Sequence, residues 1–167
     1  MGTDTAAVDD VRLSADEADI VALELVALLP ALSGPKHARY AALYEAVSGE
    51  GIVTVPAELL DVLESVLEVA LRTGRARALY RAEGERLLTA VLRRTPRGRR
   101  LSADLDEVNH ALKVLAGHPL DGITVRMRTL GHYTLTLQTP TATLTLALRP
   151  DTVQLESLIP GQMQGPA

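Results

Sequence analysis

The 167-residue chain contains no cysteine, no phenylalanine and no tryptophan, and four tyrosines are its only aromatic residues. Lacking cysteine, it can form no disulfide, no thiolate metal site and no cysteine nucleophile. Lacking Phe and Trp, it must fill its interior with Leu, Val and Ala, which have well-defined rotamers but bring little area per residue. Lysine is scarce too: Lys36 and Lys113 are the only two among 17 basic residues. That arginine bias, beside abundant Ala and Leu, reads as GC-rich coding more than as chemistry. Long apolar runs are also missing. The longest, Ile20 to Leu32, contains Glu24 and Pro30, and a bilayer span needs about 20 apolar residues. It follows a cluster of Asp and Glu, the opposite of the positive start of a secretory signal. These features predict a cytoplasmic protein with no membrane partner.

What remains is an ordinary globular composition, 47% hydrophobic and 23% charged, with a length suited to one domain or two small subdomains. Residues 1–11 are small and acidic and read as a flexible tail. "SADE" sets Ser14 three residues before Glu17, a capping box that opens a helix over about 15–29. Its apolar residues occupy more than one stripe, so it belongs in the middle of a bundle or in a subunit interface, where a Leu25→Glu change would break self-association. A second helix over about 36–47 places Tyr40, Leu43, Tyr44 and Val47 on one side, and "IVTV" (Ile52 to Val55) suggests a short strand. Pro56 then reads as the first position of a strongly amphipathic helix, capped near Gly74. Residues 75–80 are open between strand and helical turn. The next helix must stop near Arg94, because Pro96 disfavours helical geometry at Thr95. An arginine loop follows, then a helix with Asp104 placed to cap it and Leu105, Val108, Leu112 and Leu115 as its buried stripe.

Beyond residue 120 the period changes to two. "GITVRMR", "HYTLTLQT", "ATLTLAL" and "TVQLESLI" alternate apolar and polar residues between turn signals. The expected fold is α+β: a helical region of about four helices (12–100), then a helix and a four-stranded antiparallel β-meander (101–159), with a flexible tail over 160–167. The arginine loop is a poor linker, so both parts are expected to share one core. The meander has one oily face, which the preceding helices must cover.

Charge is unevenly distributed. Residues 1–71 hold 3 basic and 13 acidic residues, residues 72–100 hold 10 arginines against Glu83 and Glu85, and the whole chain has a net charge of -4. "RRTPRGRR" alone packs five arginines into eight positions. Such a cluster can face the acidic helices of its own chain, or it can bind an external anion through guanidinium forks. The candidate anion- or partner-binding residues are Arg75, Arg77, Arg93, Arg94, Arg97, Arg99 and Arg100, with Arg126 and Arg128 on the threonine-rich sheet face. The sequence carries no stacking aromatics beside the cluster other than Tyr80, and its pI is acidic.

No catalytic constellation emerges. Asp106 and His110 are four apart on a helix, but no third metal ligand stands at a recognisable spacing. His37 starts a helix, His118 lies in a turn and His132 opens a strand, and neither a phosphate loop nor a nucleophile elbow occurs. The expected function is a non-catalytic interaction or adaptor module without cofactor, self-associating and binding a macromolecular partner. The alternative is a nucleic-acid-binding or regulatory protein that uses the arginine-rich segment 72–100.

Overall fold

The computed structural model describes residues 10–161 and is α+β: among these residues, five helices precede a four-stranded antiparallel sheet. The chain divides into two compact units between Arg99 and Arg100. Its apolar side chains form two clusters, one per unit, instead of the single shared core expected from sequence.

In the first unit, β1 (Val11–Leu13) leads into α1 (Ala15–Leu28), α2 (Gly34–Val47), β2 (Val53–Val55), α3 (Leu60–Arg72) and α4 (Arg75–Arg94). The strand β1 revises the expected acidic tail, which cannot include Val11; the remainder of that tail, residues 1–9, lies outside the described residues. "VRL" buries Val11 and Leu13, points Arg12 outward, and pairs antiparallel with β2. Two adjacent apolar alternations too short to stand alone hold each other in place. The capping box forms as expected. Ser14 Oγ accepts from the Glu17 N–H at 3.3 Å, and the Glu17 carboxylate accepts from the Ser14 N–H at 2.9 Å. Around β1 and β2 the helices contribute Val21 and Leu25 (α1), Leu43 and Val47 (α2), Leu63 and Val66 (α3) and Leu88 and Val91 (α4) to a core of Leu, Val and Ala. Each fully buried Leu or Val contributes about 1.5–3 kcal/mol before chain entropy is subtracted. Pro56 does not start α3 directly; a 3-10 turn, Ala57–Leu59, comes between.

The undecided stretch 75–80 is helical. Gly74, left-handed at φ 70°, separates α4 from α3. A left-handed Gly costs little there because it has no Cβ. At Arg81 the backbone leaves helical geometry (φ 60°, ψ -160°) and α4 kinks before running on to Arg94. The kink brings Tyr80 against Gly84, where a Cβ would lie 2.1 Å from that of Tyr80.

The largest revision concerns the arginine loop, because residues 96–100 are the first turns of α5 (Pro96–Lys113). Thr95 is extended (φ -73°, ψ 161°), and its Oγ1 accepts from the Gly98 N–H at 3.2 Å. Thr95 therefore acts as an N-cap and Pro96 fills the first helical position, where a missing N–H has no cost. The same proline both ends α4 and begins α5. Gly98 is required, since a Cβ there would lie 1.7 Å from the carbonyl oxygen of Leu92. Asp104 consequently lies inside the helix and caps nothing. Its Oδ2 accepts from Gln154 Nε2 at 2.9 Å and from Thr152 Oγ1 at 3.3 Å.

The second unit begins with residues 100–113 of α5 and continues through β3 (Gly122–Thr129), β4 (His132–Gln138), β5 (Ala142–Leu148) and β6 (Val153–Pro160), hydrogen-bonded in chain order. The register keeps the apolar residues on one face: Val125, Leu135, Leu146 and Leu155 form one row, and Met127, Tyr133, Leu148 and Val153 the next. Two residues have no place in the ladders: Arg128, where the register shifts between Met127 and Thr129, and Glu156, where it shifts opposite Thr145 and Leu146. Because β6 reaches Pro160, the expected terminal tail begins later than residue 160; residues 162–167 lie outside the described residues.

Candidate functional site

Most of the candidate arginines point back at this protein's own acids. Arg75 Nε donates to Glu24 Oε2 at 2.8 Å, and the Tyr80 hydroxyl donates to Glu24 Oε1 at 2.9 Å. Glu24 is only 1% exposed. A carboxylate in that position must be paired, since an uncompensated buried charge costs several kcal/mol. Burial, reinforced by the hydrogen bond and the negative charge of Glu24, pushes the Tyr80 phenol up to about 12.

Arg94 reaches the buried Glu17 at 2.7 Å. Burial alone would raise that carboxyl, but hydrogen bonds from Arg94 and from the Ser14 N–H outweigh it and hold Glu17 below its ordinary value. Arg97 contacts Glu68 at 2.5 Å through Nε, while its backbone N–H donates to Glu64 Oε1 at 2.7 Å. Arg99 Nη1 donates to the Arg94 carbonyl at 2.8 Å. Arg77 is only loosely opposed to Glu85, at 3.9 Å and in solvent. In the second unit Arg128 pairs with Glu156, linking the two edge strands of the sheet. Arg93, Arg100 and Arg126 are exposed, and the described residues offer them no ion pair.

Three of these arginines converge. A cleft of about 450 Å³ in the first unit is lined by Arg93 and Arg94 from the end of α4, Arg99 from the start of α5, and Asp10, Val11 and Arg12 from the β1 segment. Arg12 was not among the candidates. Its signal was present in "VRL", where alternation turns the middle residue outward, but without a strand assignment there was no alternation to read.

A second feature lies on the sheet. The apolar cluster of this unit joins Val108, Ala111 and Leu115 of the α5 segment to Ala142, Leu144 and Leu146 of β5, with Val153 and Leu155 of β6 at its margin. On the same face, Ile123, Val125 and Met127 of β3 remain 60–64% exposed and Tyr133 of β4 39%. The cause is geometric: a helix about 10 Å across covers roughly two strands spaced about 4.8 Å apart, and this sheet has four. The oily face is half covered.

The remaining candidates for chemistry are dispersed. Asp106, His110, His37, His118 and His132 are all exposed. Among the described residues no three His, Cys, Asp or Glu side chains gather to hold a metal, and no helix is long and apolar enough to cross a membrane. No family model, curated protein or solved structure matches the chain.

Proposed function

We propose that the protein is a non-catalytic interaction module that self-associates through the open half of its C-terminal sheet. The observation that carries this reading is the exposed strip of Ile123, Val125 and Met127 on β3. Two strands about 25 Å long and together about 10 Å wide leave a footprint of about 250 Å² per copy, just under the few hundred Å² at which exposed apolar patches mark interfaces.

A second copy fits this strip better than an unrelated partner. Facing sheets pack about 10 Å apart, which is also the thickness of the α5 layer, so a partner sheet can lie beside α5. A two-fold arrangement then covers both open halves at once. The facing rows of Ile123, Val125, Met127, Leu135 and Leu137 carry no charge to repel an identical strip. The small area, well below that of a standard interface, implies weak, reversible association. The nucleic-acid alternative has less support, because Arg75, Arg94 and Arg97 are taken up by Glu24, Glu17 and Glu68.

Sedimentation velocity over about 1–100 µM tests the proposal against Val125→Glu. Val125 is already exposed, so the variant should keep its circular dichroism and melting curve while losing the dimer. A wild type that stays monomeric, or a Val125→Glu protein that dimerises equally well, rejects the proposal. The Leu25→Glu change suggested by sequence is unsuitable, because Leu25 is fully buried and a charge there would unfold the first unit.

A further inference from the structure

We infer that the cleft formed by Arg12, Arg93, Arg94 and Arg99 binds a condensed-phosphate group, either pyrophosphate itself or the oligophosphate portion of a larger molecule. This inference is independent of self-association and concerns the first unit alone.

The first ground is charge. Among the described residues, four arginines and one aspartate line the cleft, in a protein whose net charge is -4 and whose first 71 residues hold 13 acids. Elsewhere in the unit several arginines are matched to acids: Arg39 grips Asp61 with both Nη atoms at 2.7–2.8 Å, Arg75 is held by Glu24, and Arg97 by Glu68. In the cleft two guanidinium groups are left over. The side chains of Arg12 and Arg93 have no ion pair or hydrogen bond among the described residues, whereas Arg94 is paired with Glu17 and Arg99 donates to the Arg94 carbonyl. Holding these two close to the other arginines is unfavourable in the unbound protein and is relieved by a multivalent anion.

The second ground is preorganisation. Glu17 fixes Arg94, which leaves donors over from the five N–H groups of its guanidinium. The Arg94 carbonyl tethers Arg99. Arg12 is carried by a strand whose neighbours Val11 and Leu13 are buried in the core, so its Cα is fixed. Three secondary-structure elements therefore present forks to one space, the geometry that suits the several oxygens of linked phosphates.

The third ground is what the cleft lacks. A volume of about 450 Å³ exceeds the need of a single phosphate. No aromatic side chain lines it, whereas proteins that bind single-stranded nucleic acid stack bases on aromatic rings. The chemistry on offer recognises phosphate and not base.

The test is isothermal titration of the intact protein with pyrophosphate, with sulfate at matched ionic strength and a single-stranded oligonucleotide as comparison arms. The expected result is saturable binding of pyrophosphate that exceeds sulfate and weakens about tenfold or more in Arg12→Gln/Arg93→Gln. Both residues are exposed and removing them relieves repulsion, so without ligand the variant melts no lower than the wild type. Arg86→Gln, elsewhere on α4, should bind as wild type does. Adenosine diphosphate separates the two sources of the chemistry: affinity equal to pyrophosphate assigns the site to the phosphates alone, and stronger binding assigns it to a larger molecule that carries them. Absence of pyrophosphate binding, binding equal to that of sulfate, binding unchanged in the double variant, or preference for the oligonucleotide would each overturn the inference.

Discussion

Replacing Tyr80 with Phe removes one hydroxyl from a buried constellation and leaves every other atom in place. Glu24 Oε1 then loses a donor at 2.9 Å and retains only Arg75 on its other oxygen. A hydrogen bond to a charged group contributes about 1.5–3 kcal/mol. The phenol gives a second route to the magnitude. Its rise from 10 to about 12 corresponds to roughly 2–3 kcal/mol at about 1.4 kcal/mol per unit. Burial is the largest cause of that rise and persists in the Phe variant, so the expected loss lies at the low end, about 1–2 kcal/mol. The sign follows from the direction of the shift. A group whose folded pKa is raised stabilises the fold fully below its unfolded value, near 10, and loses that contribution as pH climbs through about 12. Urea unfolding at neutral pH should show the loss. With no tryptophan in the chain, the ultraviolet difference titration of wild type against Tyr80→Phe should isolate a component that ionises late, at about 12. If the lost component ionises near 10, or if the variant is as stable as wild type, the buried constellation does not exist as described.

Two further substitutions probe local backbone features. Thr95→Ala removes the cap of α5 and should cost about 1 kcal/mol in urea unfolding; no loss would mean that the bond to the Gly98 N–H contributes nothing. Arg81→Gly places the one residue type suited to φ 60°, ψ -160° at the kink, and relief of about 1–3 kcal/mol of strain outweighs the added chain entropy. Its melting temperature should rise by a few degrees, and a fall would mean that the Arg81 side chain makes an interaction worth more than the strain.

The sheet was legible because its signal is local and repeated. Four alternating segments separated by turn residues fix both the strands and the face each side chain occupies, and the observed rows of Val125, Leu135, Leu146 and Leu155 follow from that count. The extent of its cover was not legible, since alternation says which face is oily and nothing about how many helices reach it. The start of α5 was missed for a different reason. In sequence Pro96 marks a helix end, yet a Thr-Pro pair is as good a helix opening, and Gly98 signals a loop although it permits close approach to Leu92. Arg12 and the buried Glu24 were hidden because their roles depend on contacts 51 to 82 residues away in sequence, such as Arg75 to Glu24 and Arg12 beside Arg94 in one cleft. Candidate arginines could be named, but their partners needed the fold.

The two residues that fall outside the strand ladders, Arg128 and Glu156, are ion-paired with each other. Each adds one to the count along its strand, so parity in sequence and parity in space part company there. Counted straight through, β6 would send Val153, Leu155, Ser157 and Ile159 to the same side. With Glu156 set aside, Leu158 pairs with Leu144 and takes the inner position instead. Glu156 is therefore the place in β6 where the chain can change length by one residue without turning the remainder of the strand inside out. Its bond to Arg128 makes the two irregularities a matched set, and a chain that lost one would strand the charge of the other.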